Sequence, residues 1–160
     1  METQSIREAK SLHPIEPIRN NLLVRYTFEA KGMIIVNAQA LKDLTPIEKV
    51  VVGYGETTDA KFKIGVNIVT KFDCFSLQPT NIEDNELSIK STLNKLKKFQ
   101  PIGRGTAAGK LLLTPNDTAD EVIDLNRIYT MYEYYLINEG DILAINKNKI
   151  TVFPTDHTQV

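Results

Sequence analysis

Lys31-Gly32-Met33-Ile34-Ile35-Val36 is the stretch on which the fold turns. Before it runs Leu22-Leu23-Val24-Arg25-Tyr26-Thr27-Phe28. Period-two alternation there predicts a strand, with Leu22, Val24, Tyr26 and Phe28 on one face and Leu23, Arg25 and Thr27 on the other. After it, Asn37 to Pro46 has little β propensity and no clear period. Lys49 to Val52 then predicts a second strand, ended by a turn at Gly53-Tyr54-Gly55. An apolar tip between two strands has two physical outcomes. It folds back onto the core as a third strand, or it is a flexible loop whose side chains wait for a partner.

Outward from this stretch the pattern stays β-rich. Residues 1–14 read as an N-terminal arm, and Ile15-Glu16-Pro17-Ile18-Arg19 as an extended approach to the first strand, because proline holds its predecessor extended. Phe62-Lys63-Ile64 and Asn67 to Phe72 predict further strands, with a turn at Gly65. Thr80 to Phe99 predicts a helix, with Ile82, Ile89, Leu93 and Leu96 on one face and Thr80 with Glu83 as a capping box. Lys95, Lys97 and Lys98 suit its C-terminal end, and Pro101 stops it. Gly103 to Gly109 reads as a linker, Leu111 to Pro115 as a short strand and Asp117 to Asn126 as a short helix. Strands at Ile128 to Ile137, Ile142 to Ile145 and Ile150 to Phe153 follow, separated by turns at Asn138–Asp141 and Asn146–Lys149. The fold expected is mainly β: a small barrel from 15–77 and 128–153, an α-containing insertion at 78–127, and a tail at 154–160.

The totals limit the function classes. The 160 residues suffice for one domain with a real core. A net charge of −1 implies no bulk attraction to nucleic acid or to an anionic membrane. No apolar run is long enough to span a bilayer, and Met1 to His13 lacks the apolar core of a secretory signal. Cys74 is the one cysteine, which excludes an intrachain disulfide and a cysteine-rich zinc site. These features fit a cytoplasmic protein, or a virus particle assembled in a cytoplasm.

Short motifs add little chemistry. Gly103-Arg104-Gly105-Thr106-Ala107-Ala108-Gly109-Lys110 lacks the glycine and the hydroxyl residue of a phosphate-binding loop, and it follows a predicted helix rather than a strand. His13 and His157 lie near the two ends. Cys74 reads as a core thiol. Asp117, Asp120, Glu121 and Asp124 fit a solvated helix face better than an acid/base pair. Met131-Tyr132-Glu133-Tyr134-Tyr135 is either a strand with an aromatic outer face or ordinary core. Nothing here points to a cofactor, a metal or an enzyme.

Three stretches together resemble the co-chaperonin, or GroES-like, family. Pro17-Ile18-Arg19-Asn20-Asn21-Leu22-Leu23-Val24-Arg25 stands where that family has its opening strand. Gly32-Met33-Ile34-Ile35-Val36 resembles the tip of its mobile loop, and the spacing to Val52-Gly53-Tyr54-Gly55 is kept. Glu139-Gly140-Asp141-Ile142-Leu143-Ala144-Ile145 is close to its last strand, and Lys63-Ile64-Gly65 is similar to one of its turns. Asn20 and Val66 stand where the family has aspartates. The family's roof hairpin is shortened here to Glu56–Lys61, and the insertion at 78–127 is foreign to it. The resemblance implies a homo-oligomeric ring that caps a GroEL-type chaperonin through Gly32, Met33, Ile34, Ile35 and Val36, with no chemistry of its own. The alternative is a bacteriophage virion protein that uses the same barrel to bind capsid proteins.

Overall fold

The structure, a computed structural model, describes residues 7–71, 78–80, 89, 92, 110–112 and 122–153. The elements in chain order are β1 (Lys10–Ser11), β2 (Asn21–Lys31), α1 (Gly32–Ile35), α2 (Ala38–Lys42), β3 (Glu48–Tyr54), β4 (Val66–Thr70), β5 (Gln78–Pro79), β6 (Lys110–Leu112), β7 (Val122–Asp124), β8 (Ile128–Asn138) and β9 (Ile142–Ile150). A 3-10 turn at Glu139–Asp141 joins β8 to β9. The chain is mainly β, as expected.

Six strands lie in the order β5-β8-β2-β3-β4-β9, with β1 on β3 off that path, and β6 pairs with β7 in a separate ribbon. Among the described residues the sheet does not close into a barrel: β5 and β9 stand at its two ends and no pairing joins them. The chain divides into two compact units. The first comprises Met1–Tyr26, Glu48–Ile82 and Tyr134–Val160, and the second Thr27–Ile47 and Glu83–Glu133.

In the first unit β2 is buried on both faces, since Leu22, Leu23, Val24 and Tyr26 are all inaccessible. Arg25, on the face expected to be polar, is half-buried because Glu48 accepts its guanidinium at 3.4 Å. Tyr26 meets Tyr135 edge to face at 4.8 Å, and its hydroxyl is 3.3 Å from that of Thr70. Burying each such side chain contributes roughly 1.5–3 kcal/mol. The second unit buries Phe28, Ile35, Leu41, Ile89, Tyr129 and Met131.

Several boundaries differ from the sequence expectation. Gly53 and Tyr54 belong to β3 rather than to a turn, because β1 pairs with both. Residues 62–64 are not a strand, and β4 begins at Val66. Strand β9 is continuous through Asn146–Lys149. The turn residues there are absorbed as a bulge, with Val66 opposite Ile150 and Asn67 opposite Asn146. The buried Asn67 amide holds it by donating to Lys149 O at 3.2 Å and Thr151 Oγ1 at 3.0 Å. Residues 122–124 form β7, not helix, with Ile123 opposite Leu111.

Of the helix expected at 80–99, only Thr80, Ile89 and Thr92 are described. Ile89 and Thr92 are helical and buried. Thr80 donates its hydroxyl to Tyr134 O at 3.1 Å. The capping partner Glu83, the Gly103–Gly109 linker, Cys74, Lys95–Lys98, Asp117, Asp120, Glu121 and His157 lie outside the described residues.

Candidate functional site

Gly32–Val36 is neither an extended loop nor a third strand. Gly32–Ile35 makes a single helical turn directly after β2, closed by the Val36 N–H donating to Gly32 O at 3.1 Å. The cause lies in the backbone. The first amides of a helical turn need acceptors, and Lys31 offers no side-chain cap. The Gly32 N–H donates to Arg127 O at 2.9 Å, and the Met33 N–H to Leu125 O at 3.0 Å. Those carbonyls are presented by the turn between β7 and β8. That turn is itself fixed by Asp124, whose Oδ1 accepts from the Asn126 N–H at 3.0 Å and whose carbonyl accepts from the Arg127 N–H at 3.2 Å. The Asp124 N–H donates to the Tyr129 hydroxyl at 2.9 Å, and the Arg127 guanidinium lies over that ring at 4.5 Å.

Downstream, Asn37 caps α2, its Oδ1 accepting from the Gln39 and Ala40 N–H groups at 3.0 and 3.1 Å. Asn37 before Ala-Gln-Ala-Leu-Lys is a legible helix start, though the stretch that follows is too short to show a helical period. The role of the Leu125 and Arg127 carbonyls had no sequence signal, because any residue carries a carbonyl.

The five predicted binding residues divide by exposure. Gly32 and Ile35 are buried, and Ile34 and Val36 are half-buried. Met33 is 52 % exposed. Ile35 therefore belongs to the core of its unit, and the apolar atoms offered outward come from Met33 with the open parts of Ile34 and Val36. Ile128, next to Arg127, is exposed as well. Charges of both signs are exposed near the turn, Lys31, Lys42 and Arg127 with Glu29 and Asp43.

A second polar cluster surrounds Glu48. Lys149 Nζ lies 3.0 Å from its Oε2, the Thr151 hydroxyl donates to the same oxygen at 3.2 Å, and Arg25 takes Oε1. Burial raises the Glu48 pKa, but the hydrogen bond and charge of Lys149, then Thr151 and Arg25, more than offset it. The carboxyl is held below the usual glutamate range. A carboxylate with both oxygens engaged and its proton removed is a clamp for the 149–153 segment, not a general acid. Of the residues weighed as chemistry, Asp124 sits at the end of β7. His13 packs edge to face on Tyr134 at 4.6 Å. In the aromatic stretch Met131, Glu133, Tyr134 and Tyr135 are buried, so it is core rather than an outer face. Among the described residues there is no cluster of three or more potential metal-ligating side chains. No helix among them is long and apolar enough to cross a membrane.

Comparison with known protein families, with curated proteins and with solved structures finds no match for this chain.

Proposed function

We propose that this chain is a co-chaperonin-like, non-enzymatic ring protein of the cytoplasm that caps a GroEL-type chaperonin through the Gly32–Val36 turn. The observation that carries it is the 52 % exposure of Met33 on a turn whose Gly32, Met33 and Val36 amides are already bonded within the fold. Such a turn presents an apolar side chain beside amides that need no desolvation, which suits an apolar groove on a partner. The order of strand, apolar tip and strand also matches the family pattern. On this proposal the sheet is the core of a small barrel, and Ile35 anchors the turn while Met33 makes the contact. The edge strand β9 supports assembly into a homo-oligomer. It ends the sheet among the described residues and exposes Leu143 and Ile150.

Full burial of Ile35 favours a second function, a phage virion protein in which the turn is a packed part of the subunit and capsid proteins are the partners. A pull-down against an ATP-loaded chaperonin separates the two. Capture of the wild type and its loss in Met33→Ser supports the co-chaperonin. No capture of the wild type leaves the virion protein.

A further inference from the structure

The N-terminal arm is held at a place the proposed function does not use. Arg7 lies three residues before the start of β1, and its guanidinium sits over the Tyr54 ring, 3.6 Å from the centroid. Its Nη2 donates to Thr58 Oγ1 at 2.6 Å, to Phe62 O at 2.8 Å and to Asp59 O at 2.9 Å. An aromatic face with hydrogen-bond acceptors at its rim is the recognition set of a guanidinium.

Much of this loop is held by bonds from outside the arm. The Thr58 hydroxyl donates to Gly55 O at 2.9 Å, which leaves its lone pairs to accept. The Phe62 N–H donates to Asp59 O at 3.0 Å, and the Lys61 N–H to Asp59 Oδ1 at 2.9 Å. The Asp59 N–H donates to Glu139 Oε1 at 2.9 Å, and the Thr57 N–H to Arg19 O at 3.0 Å. The loop thus takes its shape from the approach to β2 and from the 3-10 turn. The arm's backbone pairing is short, and beyond it His13 packs on Tyr134 at 4.6 Å. Strand β1 pairs only Lys10 with Tyr54 and Ser11 with Gly53, extended by the Leu12 N–H to Val52 O at 3.0 Å.

We propose that Tyr54, Thr58, Asp59 and Phe62 form a receptor for an arginine side chain, which Arg7 fills in cis, so that the arm is a releasable strap along the end of β3. The register defines the ligand class: an extended peptide with an arginine three residues before the residue that pairs with Tyr54. Arginine is expected to outcompete lysine, because the guanidinium is more weakly hydrated and lies over the ring at 3.6 Å.

The test uses the full chain carrying Arg7→Ala. Its melting temperature should fall by about 5 °C, the size expected for a lost charge-assisted cluster in a chain of this length. Methylguanidinium or N-acetylarginine amide, far below denaturing concentrations, should restore part of that loss saturably. Sodium chloride at matched ionic strength and N-acetyllysine amide should not, and the wild type should not respond. The wild type gives a readout free of any folding defect: nuclear Overhauser contacts between the Arg7 side chain and the Tyr54 ring, with slowly exchanging guanidinium protons. A response in Arg7→Ala no larger than in wild type, or absence of those contacts, overturns the proposal. Neither outcome touches the Gly32–Val36 turn, so failure here leaves the chaperonin proposal as it stands.

Discussion

Gly65 shows how much one position fixes. Its φ is +100°, and a methyl group on its α-carbon would stand 2.5 Å from Thr151 O. Its own carbonyl accepts from the Thr151 N–H at 2.8 Å, and its N–H donates to Val51 O at 2.9 Å. Gly65→Ala meets both a disfavoured backbone and a clash with the Thr151 carbonyl, so it should cost about 2 kcal/mol or more, read as a lower midpoint in urea. Glu48 gives a prediction in pH. Its folded carboxyl sits below the ordinary glutamate value. The stability it contributes is therefore complete above the unfolded pKa of about 4.3 and is lost as pH falls through the lower folded value. Glu48→Gln should be less stable than wild type at neutral pH, and the difference should shrink on acidification below about pH 4. A gap that stays constant down to pH 3 would show that Glu48 is not held ionised by Lys149, Thr151 and Arg25.

At the scale of the element, α1 is too short to be helical on its own, because the first turn of a helix is its unfavourable step. Its four residues persist because the Leu125 and Arg127 carbonyls accept their first amides and Ile35 is buried. Met33→Ser and Ile35→Ser should therefore behave oppositely. Ile35→Ser removes a fully buried side chain and buries a hydroxyl, at a cost of roughly 3 kcal/mol or more by chemical denaturation. Met33→Ser should leave the denaturation midpoint within about 0.5 kcal/mol of wild type while, on the proposed function, abolishing capture by a chaperonin. If Met33→Ser destabilises the chain as much as Ile35→Ser, the exposed side chain is not a docking group.

At the scale of the molecule, residues 27–47 and 83–133 belong to one compact unit. Excision of 80–127 with a short glycine bridge removes the carbonyls that hold α1, and with them Ile89, whose N–H donates to the buried Glu133 carboxylate at 2.7 Å. The shortened chain should keep a β-type circular dichroism spectrum from the first unit, yet trypsin should cut it at Lys31 and Lys42 far faster than the intact protein. Protection of those sites would show that 27–47 stands without the excised residues. On the proposed assembly through β9, Leu143→Lys should lower the mass found by light scattering without changing the subunit's melting, since charge on an edge opposes pairing. An unchanged mass would place the contacts elsewhere.

Most strands were legible because their cause is local. The alternation in Leu22–Phe28, the β-branched run Val50–Val52 and the aromatic, β-branched stretch Ile128–Ile137 each carry their own signal, and Gly65 marks its turn. What was missed depends on groups far apart in the chain. Gly32–Val36 reads as a loop or a strand from its side chains, and becomes a helical turn because two backbone carbonyls ninety-odd residues later accept its amides. Asn146–Lys149 reads as a turn, and becomes a bulge because the buried Asn67 amide binds the Lys149 carbonyl. Residues 122–124 read as helix from their acidic spacing, and become a strand because Lys110–Leu112 pairs with them. The same holds for the candidate site. The sequence determined that an apolar tip follows the first long strand, because side-chain type and spacing are local properties. Only the tertiary structure decided that Ile35 faces the core and Met33 the solvent, because burial is set by long-range neighbours that no local pattern encodes.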